Sequence, residues 1–384
     1  MSFPVARDRE ASAGIAPIFI GSEIYRGSSY GPSHPLRVPR VSTVMDLCRA
    51  LGWFAPGQYR TSPQAKASAL GLWHDPDYVH ALQLAEALNR ANAPLPRDYP
   101  ERFGLGTPSN PAFPEMFRRP ATGAGGVMLA AELLRDGGVI HAPGGGTHHG
   151  LKARANGFCY LNDVVLGMLV LRRVGVQRIV YLDIDAHHCD GVEAAFAGDD
   201  DTRLISVHEE RRWPFTGRLQ DDAGGNAFNL PVPAGFNDSE MELVLDQLIL
   251  PRIREFRPDA IILQCGADAL TEDPLSRLCL SNNAHRAILA AIRPLSPRLL
   301  VLGGGGYNPW SVARLWTAIW GDLAGHALPD TLPPKAGNVL RGLSWGRGGR
   351  AAPDAVMMTT LGDAPRNGPV RAEIRVAMNQ LARR

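Results

Sequence analysis

Residues 180–191 read VYLDIDAHHCDG, which sets the carboxylates of Asp183, Asp185 and Asp190 beside the imidazoles of His187 and His188, directly after an apolar run. On an extended backbone alternate side chains share a face, so Asp183, Asp185 and His187 can point the same way. A carboxylate and an imidazole two residues apart can share a cation. Asp268, in the segment CGADAL, is placed to supply a third ligand from another strand, and three protein ligands leave positions open for catalysis. Singly, such residues read as turn caps or satisfied structural groups; their concentration argues for chemistry. The tandem His148 and His149 on the loop PGGGTHHG read either as polar loop residues or, beside a metal, as base and acid, each needing a partner on its second ring nitrogen. Asp183 and Asp190 are candidates for that role. Tyr307 follows GGGG and reads either as a core-edge aromatic or as a phenol that donates to a developing oxyanion.

These residues need a frame. Apolar runs at 138–142, 178–184, 203–208, 260–266 and 298–304 predict strands, separated by turns and amphipathic stretches. Helices are predicted over 162–175, with Asn162 as N-cap and Gly175 past its end, and over 238–250, ended near Pro251. The alternation predicts an α/β fold, a single domain whose central, mostly parallel β-sheet is covered by helices on both faces. Ligands bind outside the carboxyl ends of such a sheet. Every one of the five strand exits carries polar or ionisable groups: THHG, DIDAHHCD, SVHEE, Asp268 and Tyr307.

The first 120 residues are less regular, with helix-like pieces at 42–52 and 63–72 and a Pro-rich stretch from Pro94 to Pro120 that reads as long surface loops. Residues 1–326 are expected to form the catalytic domain. Residues 327–384, rich in Pro, Gly and Arg, read as an extension that packs on the domain or trails from it. The formal net charge of +2, from 40 basic and 38 acidic residues, gives no field to collect nucleic acid or an anionic membrane. The N-terminus MSFPVARDRE lacks an apolar leader core, and no window approaches the roughly 18 apolar residues of a membrane span. A cytoplasmic protein is expected, with five scattered, reduced cysteines.

The segments GGGTHHG, GFCYLND, DIDAHHCDGVEAAF, SVHEE, GADAL and GGGGYNPWSVARLW occur in an order that resembles the zinc-dependent histone deacetylases of the arginase/deacetylase fold. With YGPSHPLRVPR upstream the resemblance runs from about residue 16 to residue 325, and the wording is most similar to the class I and bacterial acetoin-utilisation branch. It implies an amidohydrolase that removes acetyl or short acyl groups from lysine ε-amines of proteins or peptides. Asp185, His187 and Asp268 would hold Zn2+, a donor set hard enough to suit Fe2+ as well. His148 would pair with Asp183 and His149 with Asp190 for proton transfer, and Tyr307 would polarise the scissile carbonyl. The family's structural K+ would lie among Asp183, Asp185, His187, Ser206 and Val207. Phe158, Trp213, Leu275 and Gly157 would form the acyl-lysine tunnel, with Ser109 at its mouth and Arg40 near the acetate exit.

Three positions depart from the family pattern: Cys189 stands for a Gly, Thr147 for a larger apolar residue, and Ser109 for an Asp that grips the substrate backbone. An arginase-type dinuclear manganese site would need oxygen ligands where this chain has Cys189 and Leu270. Deacetylation of an acetylated small amine such as a polyamine is the enzymatic alternative. A scaffold with a dead site should have lost a ligand, a histidine or the tyrosine, and this sequence keeps all of them.

Overall fold

The central apolar runs become strands that end level with one another. In the computed structural model, which describes residues 15–345 and 353–384, eight strands form one sheet. They are β1 (Ile18–Gly21), β2 (Tyr59–Thr61), β3 (Gly138–Ala142), β4 (Ile179–Asp183), β5 (Thr202–Glu209), β6 (Ala227–Val232), β7 (Ala260–Gln264) and β8 (Arg298–Leu302). The order is β2-β1-β3-β8-β7-β4-β5-β6, and every neighbouring pair is parallel, so the sheet is wholly rather than mostly parallel. The five strands whose exits carried polar groups are contiguous. Asp183 sits opposite both Ser206 and Gln264, Gln264 opposite Leu302, and Leu302 opposite Ala142. Five polar loops therefore leave the sheet at one edge.

Alternation along β4 shows how both faces are filled. Val180 and Leu182 enter a core with Trp316 and Trp320 of the helix Pro309–Ala324. Ile179 and Tyr181 enter a second core with Val164, Val165 and Met168 of the helix Asp163–Arg173. Strands buried on both faces read as continuous apolar runs, which is why β4 and β7 were legible. No helix among the described residues is long and apolar enough to cross a membrane.

Four expectations need correction or completion. The helix expected to end near Pro251 continues: Asp238–Val244 passes through a wider turn at Leu245–Ile249 into Leu250–Phe256, and the Leu250 N–H donates to Leu245 O. That turn shifts the hydrogen-bond register just where proline has no N–H to offer, so Pro251 opens a new segment instead of stopping the old one. The piece expected at 42–52 is the helix Val41–Leu51, whereas that at 63–72 shortens to Ala67–Leu70. The Pro94–Pro120 stretch is not a surface loop throughout: it contains the helical turn Tyr99–Phe103, and Phe113, Met116 and Phe117 are buried with Tyr30 and Tyr160 in a third core. Beyond residue 326 the helices Pro334–Arg341 and Ala372–Ala382 send Leu340, Ile374, Met378 and Leu381 into the first core. The N-terminal segment read for a leader lies outside the described residues.

Candidate metal centre and active site

The loop after β4 is pinned by its own carboxylates. Asp183 Oδ1 accepts the Asp185 N–H at 2.9 Å, Asp185 Oδ1 accepts the His187 N–H at 3.0 Å, and Asp268 Oδ1 accepts the Ala186 N–H at 3.1 Å. The Gly305 N–H, from the β8 exit, donates to Asp185 Oδ2 at 2.6 Å. What remains unspent converges: His187 Nδ1 lies 3.0 Å from Asp268 Oδ2 and 3.3 Å from Asp185 Oδ1. One donor atom from each of Asp185, His187 and Asp268 falls within 4.8 Å of the others, and all three residues are buried. Among the described residues no Lys or Arg pairs with either carboxylate. Two buried carboxylates and one imidazole with no Lys or Arg partner among the described residues are a donor set for a divalent cation. Burial alone would push the His187 imidazole down; its hydrogen bonds to Asp185 and Asp268 and their charge lift it to about 10.

The tandem histidines sit on the adjacent β3 exit, each oriented by a carboxylate. His148 Nδ1 lies 2.7 Å from Asp183 Oδ2, and His149 Nδ1 lies 2.7 Å from Asp190 Oδ1. Their rings are 3.9 Å apart. Burial depresses both imidazoles. For His148 the charges of Asp183 and Asp185 overcome it and raise the group to about 9, whereas His149, facing the His148 charge as well, falls to about 4. The two imidazoles are thus shifted in opposite directions, and an Nδ1–H donated to Asp190 leaves His149 Nε2 as an acceptor.

Two cavities meet at this cluster. An outer cleft of about 590 Å³ is lined by Ser109, Gly157, Phe158, Trp213, Leu275 and Tyr307 and reaches His149 and His187. A narrow inner cavity of about 60 Å³ shares His149, His187 and Tyr307 and continues to Arg40, Arg119 and Tyr25. Trp213 packs edge-on to His149, ring centroids 4.6 Å apart, and Phe158 packs against Tyr307 at 5.9 Å. A Cβ on Gly157, whose φ is +52°, would fall 2.1 Å from the Trp213 ring, so only glycine admits this closeness. Tyr307 is held by its backbone, its N–H donating to Asp273 Oδ2 at 2.6 Å. Its hydroxyl has no hydrogen-bond partner among the described residues. Burial and the charges of Asp268 and Asp185 keep that phenol far above its usual range and protonated. Arg40 donates to Gly304 O at 2.7 Å and lies over Trp316.

The remaining expected residues are close by. Ser206 and Val207 lie on β5 beside Asp183, and Ser206 Oγ is 2.8 Å from His208 Nδ1. The backbone carbonyls of Asp185 and His187 accept no hydrogen bond among the described residues, although both residues are buried. His188 is tied to Thr216 and Glu193, and the Cys189 thiol is buried. Sequence reasoning missed Tyr181, whose hydroxyl donates to Asp183 Oδ2 at 2.6 Å, and Asn156, which donates to Asp190 Oδ2 at 3.0 Å. It also missed Asp163, whose carboxylate accepts the Gly146 and Thr147 N–H groups at 2.9 Å and fixes the loop that carries the histidines. Thr147, a departure without a reason in the sequence, accepts the Asp163 N–H at 3.3 Å and so closes that loop onto the helix.

A parallel sheet whose carboxyl edge holds a buried Asp–His–Asp cluster, two oriented histidines and a free phenol defines a metal-dependent hydrolase. The histone deacetylase domain matches residues 34–323, and the chain belongs to that family. It is 33% identical over 332 residues to the acetoin utilization protein AcuC of Bacillus subtilis, covering 83% of this chain and 84% of that protein. It is 35% identical over 316 residues to histone deacetylase 9 of Arabidopsis thaliana, covering 80% and 73% respectively. Crystal structures of an HDAC homolog from Aquifex aeolicus, and of an HDAC homolog complexed with SAHA, each superpose with a TM-score of 0.90 at 34% identity, covering 96% of this chain and all of theirs.

Proposed function

We propose that this chain is a lysine deacylase that hydrolyses acetyl or another short acyl group from the ε-amine of lysine in a protein or peptide. The observation that carries this reading is the Asp185–His187–Asp268 cluster at the junction of the two cavities, faced by His149 and by the unpartnered hydroxyl of Tyr307. These residues would hold Zn2+, or Fe2+, which the same donors suit. When bound, the ion supplies a Lewis acid that polarises the acyl carbonyl and acidifies water. Neutral His149, its Nδ1–H fixed on Asp190, takes the proton of the attacking water at Nε2 and passes it to the leaving amine. His148, held by Asp183, stands beside His149 to support the proton transfer, and the Tyr307 O–H donates to the oxyanion. Phe158, Trp213, Leu275 and Gly157 enclose the aliphatic chain, Ser109 stands at the mouth, and Arg40 attracts the departing carboxylate. The unpaired carbonyls of Asp185 and His187, next to Asp183, Ser206 and Val207, support a structural K+ at that loop.

Hydrolysis of an acetyl-lysine peptide, followed by amine release, tests the reading. Turnover should disappear with a chelator and return with zinc or iron(II). Cleavage of acetylated polyamines with none of acetyl-lysine peptides would overturn it.

A further inference from the structure

The outer cleft carries a charge pattern that the chemistry of deacylation does not require. Three guanidiniums line it, from Arg211, Arg212 and Arg277, and among the described residues no carboxylate does. The chain as a whole is nearly balanced at +2, so this is a local feature. Two of the three are built in. Glu209, the last residue of β5, is buried beneath the rim and receives Arg212 through Nε at 2.6 Å and Nη2 at 2.9 Å. It also receives Arg277 through Nε at 3.0 Å and through the backbone N–H at 2.9 Å. The Glu209 N–H in turn donates to Ala186 O at 2.9 Å, inside the metal-binding loop, which fixes the rim relative to the reaction centre. One carboxylate underneath orders two guanidiniums, whose other N–H groups make no hydrogen bond among the described residues; Arg277 remains 67% exposed. Arg211 is exposed and its side chain has no ion pair or hydrogen bond among the described residues. Ser109, on the same cleft, adds no charge of its own.

A rim with a surplus of fixed guanidiniums favours an anion and disfavours a polycation. We propose that it selects acyl-lysine substrates that carry a carboxylate beside the acylated residue, in an acidic peptide context. This rests on the deacylase reading and names its substrate class. The same chemistry would be met by the α-carboxylate of a free acyl-lysine, and the two sources are separable.

The test measures kcat/KM for acetyl-lysine peptides of one length with capped ends and Asp, Ala or Lys on both sides, together with Nα-capped acetyl-lysine bearing a free or an amidated α-carboxylate. The acidic peptide should exceed the neutral one by about tenfold at low ionic strength, and the basic one should fall below it, because rim ion pairs are each modest and screened by salt. A preference for the free α-carboxylate with no effect of flanking residues would support the anion site and assign it to the amino acid's own carboxylate. In Arg211→Asn with Arg277→Gln the preference should shrink to within about twofold; Asn suits the left-handed backbone of residue 211, where φ is +55°. Equal or better hydrolysis of the neutral and basic peptides together with no preference for the free α-carboxylate, or a preference that survives in the double variant, overturns the inference while leaving the deacylase reading intact. Failure of the metal-loaded enzyme on every acyl-lysine substrate overturns both.

Discussion

His149 Nδ1 lies 2.7 Å from Asp190 Oδ1, and Asn156 Nδ2 holds the other oxygen of the same carboxylate at 3.0 Å. The contact orients the His149 ring, which lines both cavities, and an Nδ1–H donated to Asp190 leaves Nε2 as the acceptor. Asp190→Asn keeps an acceptor for Nδ1–H but removes the charge that stabilises the protonated ring. It should lower kcat about 10- to 100-fold with metal content unchanged and KM nearly so, as expected when the group orienting a catalytic imidazole is altered. Steady-state kinetics with metal analysis of the same sample checks this, and wild-type kcat would contradict it.

Tyr307→Phe removes one hydroxyl that has no other partner among the described residues, so the fold loses no hydrogen bond. Activity should fall by about 10² to 10³, the usual cost of one oxyanion donor, while metal binding persists. Unimpaired turnover would refute the role given to the phenol.

Gly305→Ala tests how closely the glycine loop wraps the ligands. A Cβ there would lie 2.0 Å from Asp268 Oδ2 and 2.9 Å from Asp185 Oδ2. The carboxylates must move, so the variant should fold with wild-type circular dichroism yet bind metal at least tenfold more weakly in a chelator competition titration.

The five strand exits were readable because the central strands are buried on both faces and end level, which turns scattered motifs into one edge. The edge elements were not. β1 and β2 are short, and β6 carries Pro231, which a strand tolerates only at an edge such as this one. The supports of the site were hidden for another reason. Asn156 reaches Asp190 across 34 positions and Asp273 reaches Tyr307 across 34, and no local pattern marks such a pair. Pro251 misled because a proline signals a stop only if the helix keeps its register through it.

Acid should loosen the site's foundation through His74. This buried imidazole accepts the Asn162 N–H at Nε2 and lies 3.2 Å from Lys152 O at Nδ1. Burial lowers it from the ordinary 6.5 to about 4. Between those values the unfolded chain binds the proton and the folded one does not, so stability is full above about pH 6.5 and is lost as pH falls toward 4. The loss is up to about 3 kcal/mol, at 1.36 kcal/mol per unit. His141, also lowered to about 4, titrates in the same window. Urea unfolding at pH 7.0 and 4.5 should show a smaller pH dependence for His74→Gln than for wild type; identical slopes would contradict the assignment.

The central claim is that one metal ion, held by Asp185, His187 and Asp268, serves the catalytic histidine and tyrosine. Its most direct test is a zinc titration of chelator-stripped protein, with bound metal and acetyl-lysine peptide hydrolysis measured on the same samples, for wild type and Asp268→Ala. Wild-type activity should rise linearly and stop at one equivalent, and Asp268→Ala should bind at least tenfold more weakly and stay inactive. Full activity in the stripped protein, a plateau at two equivalents, or wild-type binding by the variant would contradict it.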